Sequence, residues 1–244
     1  MQEKMIHRHD RGSIFIHWFN AACWIVLTLT GLGLLTGDMN PLGAWWPNAM
    51  RALFGSPEML LNVHMYLGLF WAVIMLGYIL IRFRHSLSFI REAVDISPAR
   101  DLSWIIKKNI QLTLGDKALT RLGMSTDIPP QGFYNAGQKA FAQLSVIAGI
   151  FLVITGVIMF LSTMVLDNVT IVAWSRTIHF LFAALALAGL IVHIYMAAVS
   201  RDERPAFRSM VTGVIPESYA RHHHELWHRQ VKDKDIEKPF ISGG

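Results

Sequence analysis

The sequence predicts an all-α membrane protein, a bundle of four transmembrane helices with both chain termini on the cytoplasmic side. Three observations carry this prediction. Hydrophobic residues make up 53% of the 244-residue chain and charged residues only 16%, against about 25% charged in a soluble domain. The apolar residues gather in four runs, at 13–36, 60–81, 140–166 and 172–200, each long enough to cross a hydrocarbon core of about 30 Å. Of the 22 Lys and Arg, all but Arg51 and Arg176 lie before the first run, between the second and third, or after the fourth. Such residues mark cytoplasmic connections. The same distribution accounts for the net charge of +5 without a nucleic-acid partner.

Taken in order, the first run is not a cleavable signal. It lacks a small-residue cleavage pattern, and "IHWFN" puts polar groups where such a peptide is uniformly apolar. The next connection, "GDMNPLGAWWPNAMRALFGSPEM", combines Pro41, Pro47 and Pro57 with Trp45 and Trp46, which suits an interfacial loop on the outer side. The long cytoplasmic connection, 82–139, contains "DLSWIIKKNIQLTL", where Leu102, Ile105, Ile106 and Ile110 alternate with lysines as in a helix lying on a membrane surface. Only a few residues around Asp167 and Asn168 separate the third and fourth runs, so these helices are expected to be antiparallel neighbours. Residues 1–200 thus form one four-helix domain, and 201–244 a polar cytoplasmic tail. Cys23 is the sole cysteine. An intrachain disulfide, a four-cysteine zinc site, an iron–sulfur cluster and C-x-x-C-H haem attachment are all excluded.

Of the 11 histidines, seven (His7, His9, His85, His222, His223, His224 and His228) fall in polar segments and need no special account. The other four, His17, His64, His179 and His193, lie in the apolar runs. A single histidine in a membrane helix is commonly a hydrogen bond between helices. Four together follow a pattern. His179 and His193 are 14 residues apart in "TIHFLFAALALAGLIVHIYM", within roughly 40° of one another around the helix and about 21 Å apart along it. With the termini inside, His17 near the start of the first helix is level with His193 near the end of the fourth. His64 near the start of the second is level with His179. Two bis-histidine b-type haems account for both levels. Gly31 shares the face of His17 at the outer level and Gly77 lies near the inner level. Either glycine suits a haem lying against the helix or close helix packing. Arg176, one turn outside His179, suits a haem propionate or a lipid phosphate.

These residues resemble the cytochrome b (gamma) subunit of membrane-bound formate dehydrogenases, within the wider bacterial di-haem cytochrome b561-like group. The resemblance covers most of the chain, through "FIHWFNAACWIVLTLTG", "NVHMYLG", "FYNAGQK", "TIHFLFAALALAGLIVHIYMA" and the histidines followed by tryptophan in the tail. It implies the same pairing: His64 with His179 for the haem nearer the periplasm, His17 with His193 for the one nearer the cytoplasm. It further implies a menaquinone site at the inner haem, with Asn135, Gly137 and Gln138 of "YNAGQK" beside the quinone and His193 close by. Read from the residues alone, Asn135 suits either a quinone carbonyl or a helix cap. The implied setting is the bacterial inner membrane. The implied partners are an iron–sulfur subunit on the periplasmic side and a molybdenum or tungsten catalytic subunit, which would carry out the formate chemistry. The cytoplasmic connection is longer than the family pattern, and "HHHELW" stands where proline often follows the histidine pair. The partner enzyme is therefore open to a second assignment, a nickel–iron hydrogenase or a thiosulfate or polysulfide reductase. A different class, a haem-free anchor or proton relay, also accommodates intramembrane histidines.

Overall fold

The computed structural model describes residues 3–35, 40–165 and 167–237. The expected span ends Thr36 and Leu166, and the tail from Lys238 on, lie outside the described residues. In chain order the elements are strand β1 (Met5–His7), helices α1 (Arg11–Leu34), α2 (Trp45–Phe54), α3 (Pro57–Ile81), α4 (Phe83–Val94), α5 (Pro98–Leu114), α6 (Asp116–Arg121), α7 (Ala136–Leu161), α8 (Val169–Ile194) and α9 (Arg204–Thr212), strand β2 (Val214–Pro216), and helices α10 (Glu217–His223) and α11 (Glu225–Glu237). A π-helical turn, Tyr195–Val199, prolongs α8, and its hydrogen bond runs from the Ser200 amide to the Tyr195 carbonyl at 3.0 Å. Four helices, α1, α3, α7 and α8 with its π turn, are long and apolar enough to cross a membrane.

Each of the four begins two to four residues before its expected start; in α1, α3 and α7 the added residues include polar or charged ones that hydropathy does not register. The α3 start shows the cause: Ser56 caps it, its hydroxyl accepting from the Met59 amide at 3.1 Å, with Pro57 in the first turn. Asn168 does the same for α8, its Oδ1 accepting from the Ile171 amide at 3.0 Å.

The chain divides into two compact units. The apolar unit, Arg11–Arg84 with Leu144–Val192, holds most of the four long helices. Its centre is built from Cys23, Trp24, Trp71, Ala148 and Ala186, with Leu27, Leu67, Leu152 and Phe182 packed around them. Trp71 donates from its indole nitrogen to Asn20 Oδ1 at 2.8 Å, which satisfies two polar groups that would be costly in hydrocarbon. Small residues admit the large ring: a Cβ at Gly149 would stand 3.5 Å from it. Large apolar side chains such as Phe15, Val73, Leu76 and Leu80 remain exposed on the outside of these helices, which is the surface that lipid, not water, suits.

The second unit comprises Met1–Asp10, His85–Gln143 and His193–Gly244. Strands β1 and β2 pair antiparallel, with Ile6 opposite Ile215. Ile215, Tyr219, Ala220 and Trp227 form its core, against which Ile6, Phe133 and Val231 pack. Residues read as a polar tail therefore supply one strand and three helices. The surface helix expected around 101–114 forms as α5, but the side chains it buries are Asp101, Trp104 and Lys108, while Leu102 and Ile106 stay exposed.

Candidate functional site: a histidine pair with two threonines

His64 on α3 and His179 on α8 face each other in the apolar unit. Their ring centroids are 6.3 Å apart and their planes are inclined at 72°. Two imidazoles bound through Nε2 on opposite sides of one metal, at about 2 Å each, hold their centroids roughly 6 Å apart. The pair thus has the spacing of two axial ligands. Among the described residues no group of three or more His, Cys, Asp or Glu side chains could hold a metal ion. Two opposed imidazoles suit a metal that brings its own equatorial ligands, as haem iron does.

The two histidines are held in the same manner. Thr30 Oγ1 on α1 lies 2.8 Å from His64 Nδ1, and Thr155 Oγ1 on α7 lies 2.9 Å from His179 Nδ1. Each threonine is buried and also bonds the carbonyl four residues back in its own helix, Val26 at 2.8 Å and Phe151 at 2.6 Å. A glycine follows each. A Cβ on Gly31 would stand 3.2 Å from His64 Cε1, and one on Gly156 3.6 Å from His179 Cε1. Gly31 accordingly lies against the ring of His64. A Cβ on Gly77 meets nothing within 4 Å. Thr30, Thr155 and Gly156 escaped the sequence reading. The dipeptide Thr-Gly, at 30–31 and again at 155–156, was the available signal.

His17, half-buried on α1, meets Trp18 edge to face at 5.2 Å. His193, in the second unit, stacks on Phe141 with centroids 4.3 Å apart and planes 8° from parallel. Near the N-terminal end of α8, Arg176 is exposed and lines a shallow cleft with Ser162, Asp167, Asn168 and Val172.

The "YNAGQK" segment opens α7 through a reciprocal cap. Asn135 Oδ1 accepts from the Gln138 amide at 2.8 Å, and Gln138 Oε1 accepts from the Asn135 amide at 3.0 Å, an arrangement that satisfies two orphan donors of the helix start. The helix-cap reading of Asn135 is thus realised. The cap engages the amide oxygen of Asn135 and leaves its NH₂ as the donor group. Gln131 Oε1 takes the Ala136 amide at 2.8 Å. Behind this turn, Lys139 is buried, donating to the Asp95 carbonyl and pairing with Asp101 at 3.4 Å. The ring of Trp104 is 3.4 Å from where a Cβ on Gly137 would lie.

Two tail histidines need the account denied them from sequence. His224 is fully buried, with Nδ1–H donating to the Gly132 carbonyl at 2.8 Å, and His228 bonds Glu217 at 3.1 Å. Arg8, also buried, donates to the Phe133 carbonyl at 2.8 Å and lies over the rings of Phe133 and Trp227, 4.9 and 5.3 Å from their centroids. Burial brings the Arg8 guanidinium down to about 10. Burial first, then the charge of Arg8, holds His224 well below its ordinary 6.5. The unfolded chain takes up a proton on His224 near pH 6.5, whereas the folded unit resists it until lower pH. Stability is thus highest above the ordinary value and falls as acid is added. Protection factors at the amides of α10 and α11, taken relative to the intrinsic exchange rate at each pH, are expected to fall between about pH 7.5 and about pH 5.5, and His224→Asn is expected to flatten that dependence.

Residues 8–213 match the family model of the prokaryotic cytochrome b561 proteins. The chain is 25% identical over 244 residues to the nitrate-inducible formate dehydrogenase cytochrome b556(Fdn) subunit of Escherichia coli (strain K12), covering 99% of each chain. It is 24% identical over 223 residues to the formate dehydrogenase cytochrome b556(fdo) subunit of the same strain, covering 91% of this chain and 90% of the relative. A formate dehydrogenase cytochrome b556 subunit of Haemophilus influenzae is 24% identical over 240 residues, covering 97% of this chain and 88% of the relative.

Proposed function

For a chain that belongs to the prokaryotic cytochrome b561 family, we propose the role of a di-haem membrane subunit that carries electrons from a periplasmic iron–sulfur subunit of a formate dehydrogenase to menaquinone. The observation that carries this reading is the opposed pair of His64 and His179 at axial-ligand spacing. His64 and His179 hold the haem nearer the periplasm. His17 and His193 hold the second, a pairing that rests on their common depth in the sequence. Bound haem supplies a one-electron couple whose potential the protein sets through its axial ligands, their hydrogen bonds and burial. Quinone reduction falls to the α7 start, where the Asn135 NH₂ is positioned to donate to a quinone carbonyl, with Gly137, Gln138 and His193 nearby in the chain's second unit.

The choice of formate dehydrogenase follows from the names of relatives that match nearly the whole chain. Both termini lie in the cytoplasm of a bacterial inner membrane on the distribution of Lys and Arg. Protons taken up on that side as electrons move inward would contribute to a proton-motive force. Arg176 at the outer end pairs with a haem propionate or a lipid phosphate.

Two measurements test the reading. The purified protein is expected to give a reduced-minus-oxidised b-type spectrum, and its absence would leave the haem-free anchor or proton relay. Solubilised complexes are expected to contain an iron–sulfur subunit and a molybdenum or tungsten subunit. A nickel–iron subunit in their place would transfer the cytochrome to a hydrogenase, and a sulfur-compound reductase subunit to that enzyme.

A further inference from the structure

We propose that Thr30 and Thr155 are positioning residues that hold His64 and His179 with Nδ1–H bonded to the threonine oxygen and Nε2 turned toward a common metal. The proposal rests on the haem reading above. Its physical basis is the supply of protons. A threonine hydroxyl has one hydrogen to donate, and in both helices it stands within bonding distance of the carbonyl four residues back, at 2.8 Å for Thr30 and 2.6 Å for Thr155. Each hydroxyl spends its proton there, so it meets the imidazole as an acceptor. The histidine must then carry its proton on Nδ1, which leaves the Nε2 lone pair as the ligand.

Helix back-bonding by threonine is ordinary in membrane helices, and a threonine–histidine contact alone is ordinary helix pairing. Here the contact occurs twice. It involves two different helix pairs, with bonds of 2.8 and 2.9 Å to the same ring nitrogen, and a glycine follows the threonine each time at the ring's Cε1 edge. The histidines so held are the two whose rings oppose each other at 6.3 Å. Pairing of helices does not require that coincidence. Orienting a metal ligand does, since a ligating imidazole keeps its other N–H bonded to an acceptor that sets its tautomer, its ring angle and its basicity.

Two consequences are measurable in the intact complex. A bond accepted from Nδ1–H makes the ligand more basic and favours ferric iron, so its loss raises the midpoint potential of the outer haem. The bond also holds the ring against rotation about its side-chain torsion. Ring planes inclined at 72° give low-spin ferric iron a highly axial electron paramagnetic resonance signal, and rotation toward parallel lowers its largest g value.

The test compares Thr30→Val, Thr155→Val and the double variant with Thr30→Ser and Thr155→Ser, by optical redox titration and electron paramagnetic resonance. The valine variants are expected to raise one midpoint potential and lower its largest g value, more in the double variant, while the other haem is unchanged and the serine variants match wild type. Loss of the outer haem in a valine variant but not in its serine counterpart supports the proposal equally. A double valine variant with full haem, wild-type potentials and an unaltered g value overturns it. So does a serine variant that fails as badly as valine, which would make the methyl group rather than the hydroxyl the cause. A wild-type protein without haem is a different failure, that of the function proposed above.

Discussion

Replacing His64 with alanine is expected to remove one haem of two, cutting the b-type absorbance to about half, and to stop electron entry from the periplasmic side. His179→Ala is expected to give the same spectrum. The informative variant is the double one. Residues that serve a single site are non-additive, so His64→Ala with His179→Ala should retain the same half as either alone. The 6.3 Å separation of the two rings leaves space for one iron between them and no more. If the two single substitutions each removed a different haem, so that the double variant was colourless, the assignment of His64 and His179 to one metal would fail. Neither change should alter the stacking of His193 on Phe141, so the signal of the remaining haem is expected to keep its wild-type position.

The second large effect concerns Asn135, where two roles must be separated. Its Oδ1 caps α7, and loss of such a cap costs about 1 kcal/mol. Its NH₂ is the group proposed to meet the quinone. Asn135→Ala removes both. Asn135→Ser restores a cap oxygen and leaves out the amide donor, and loss of one hydrogen bond of about 1.4 kcal/mol corresponds to roughly tenfold in rate or affinity. The serine variant is therefore expected to keep both haems and wild-type thermal stability while quinone reduction falls about tenfold. Wild-type quinone turnover in the serine variant would assign Asn135 to the cap alone.

The four apolar helices were legible because their composition leaves no alternative to hydrocarbon, and their number and order agree with the expectation. Their first turns were less so, since Ser56 and Asn168 act through single hydrogen bonds that an average over a run conceals, and only Asn135 was read as a cap. The face-to-face placement of His64 and His179 followed from depth alone, without any distance. Thr30 and Thr155 were invisible for the opposite reason: a threonine in a membrane helix has so many ordinary uses that only its partner reveals its role. The tail was misjudged because its composition is polar. Its core depends on a few large residues far apart in sequence, Ile6, Phe133, Ile215 and Trp227, whose meeting no local periodicity records. His224 is buried in that meeting, beside Tyr219 and Trp227 and bonded to the distant Gly132 carbonyl.

The π turn at Tyr195–Val199 acts as a phase shift in the fourth helix. A π turn holds about one residue more than an α turn, so the residues at its end take the helical positions that their predecessors would hold in an unbroken α-helix. Deleting a single residue from this turn would let the helix regularise. The residues that follow, α9 with its buried Ser209 among them, would then keep the orientation they have, whereas a deletion in a regular turn of the same helix would shift them by about 100°. A one-residue deletion here should therefore be tolerated better than the same deletion one or two turns earlier in α8, while leaving the apolar length of the helix ample for its bilayer.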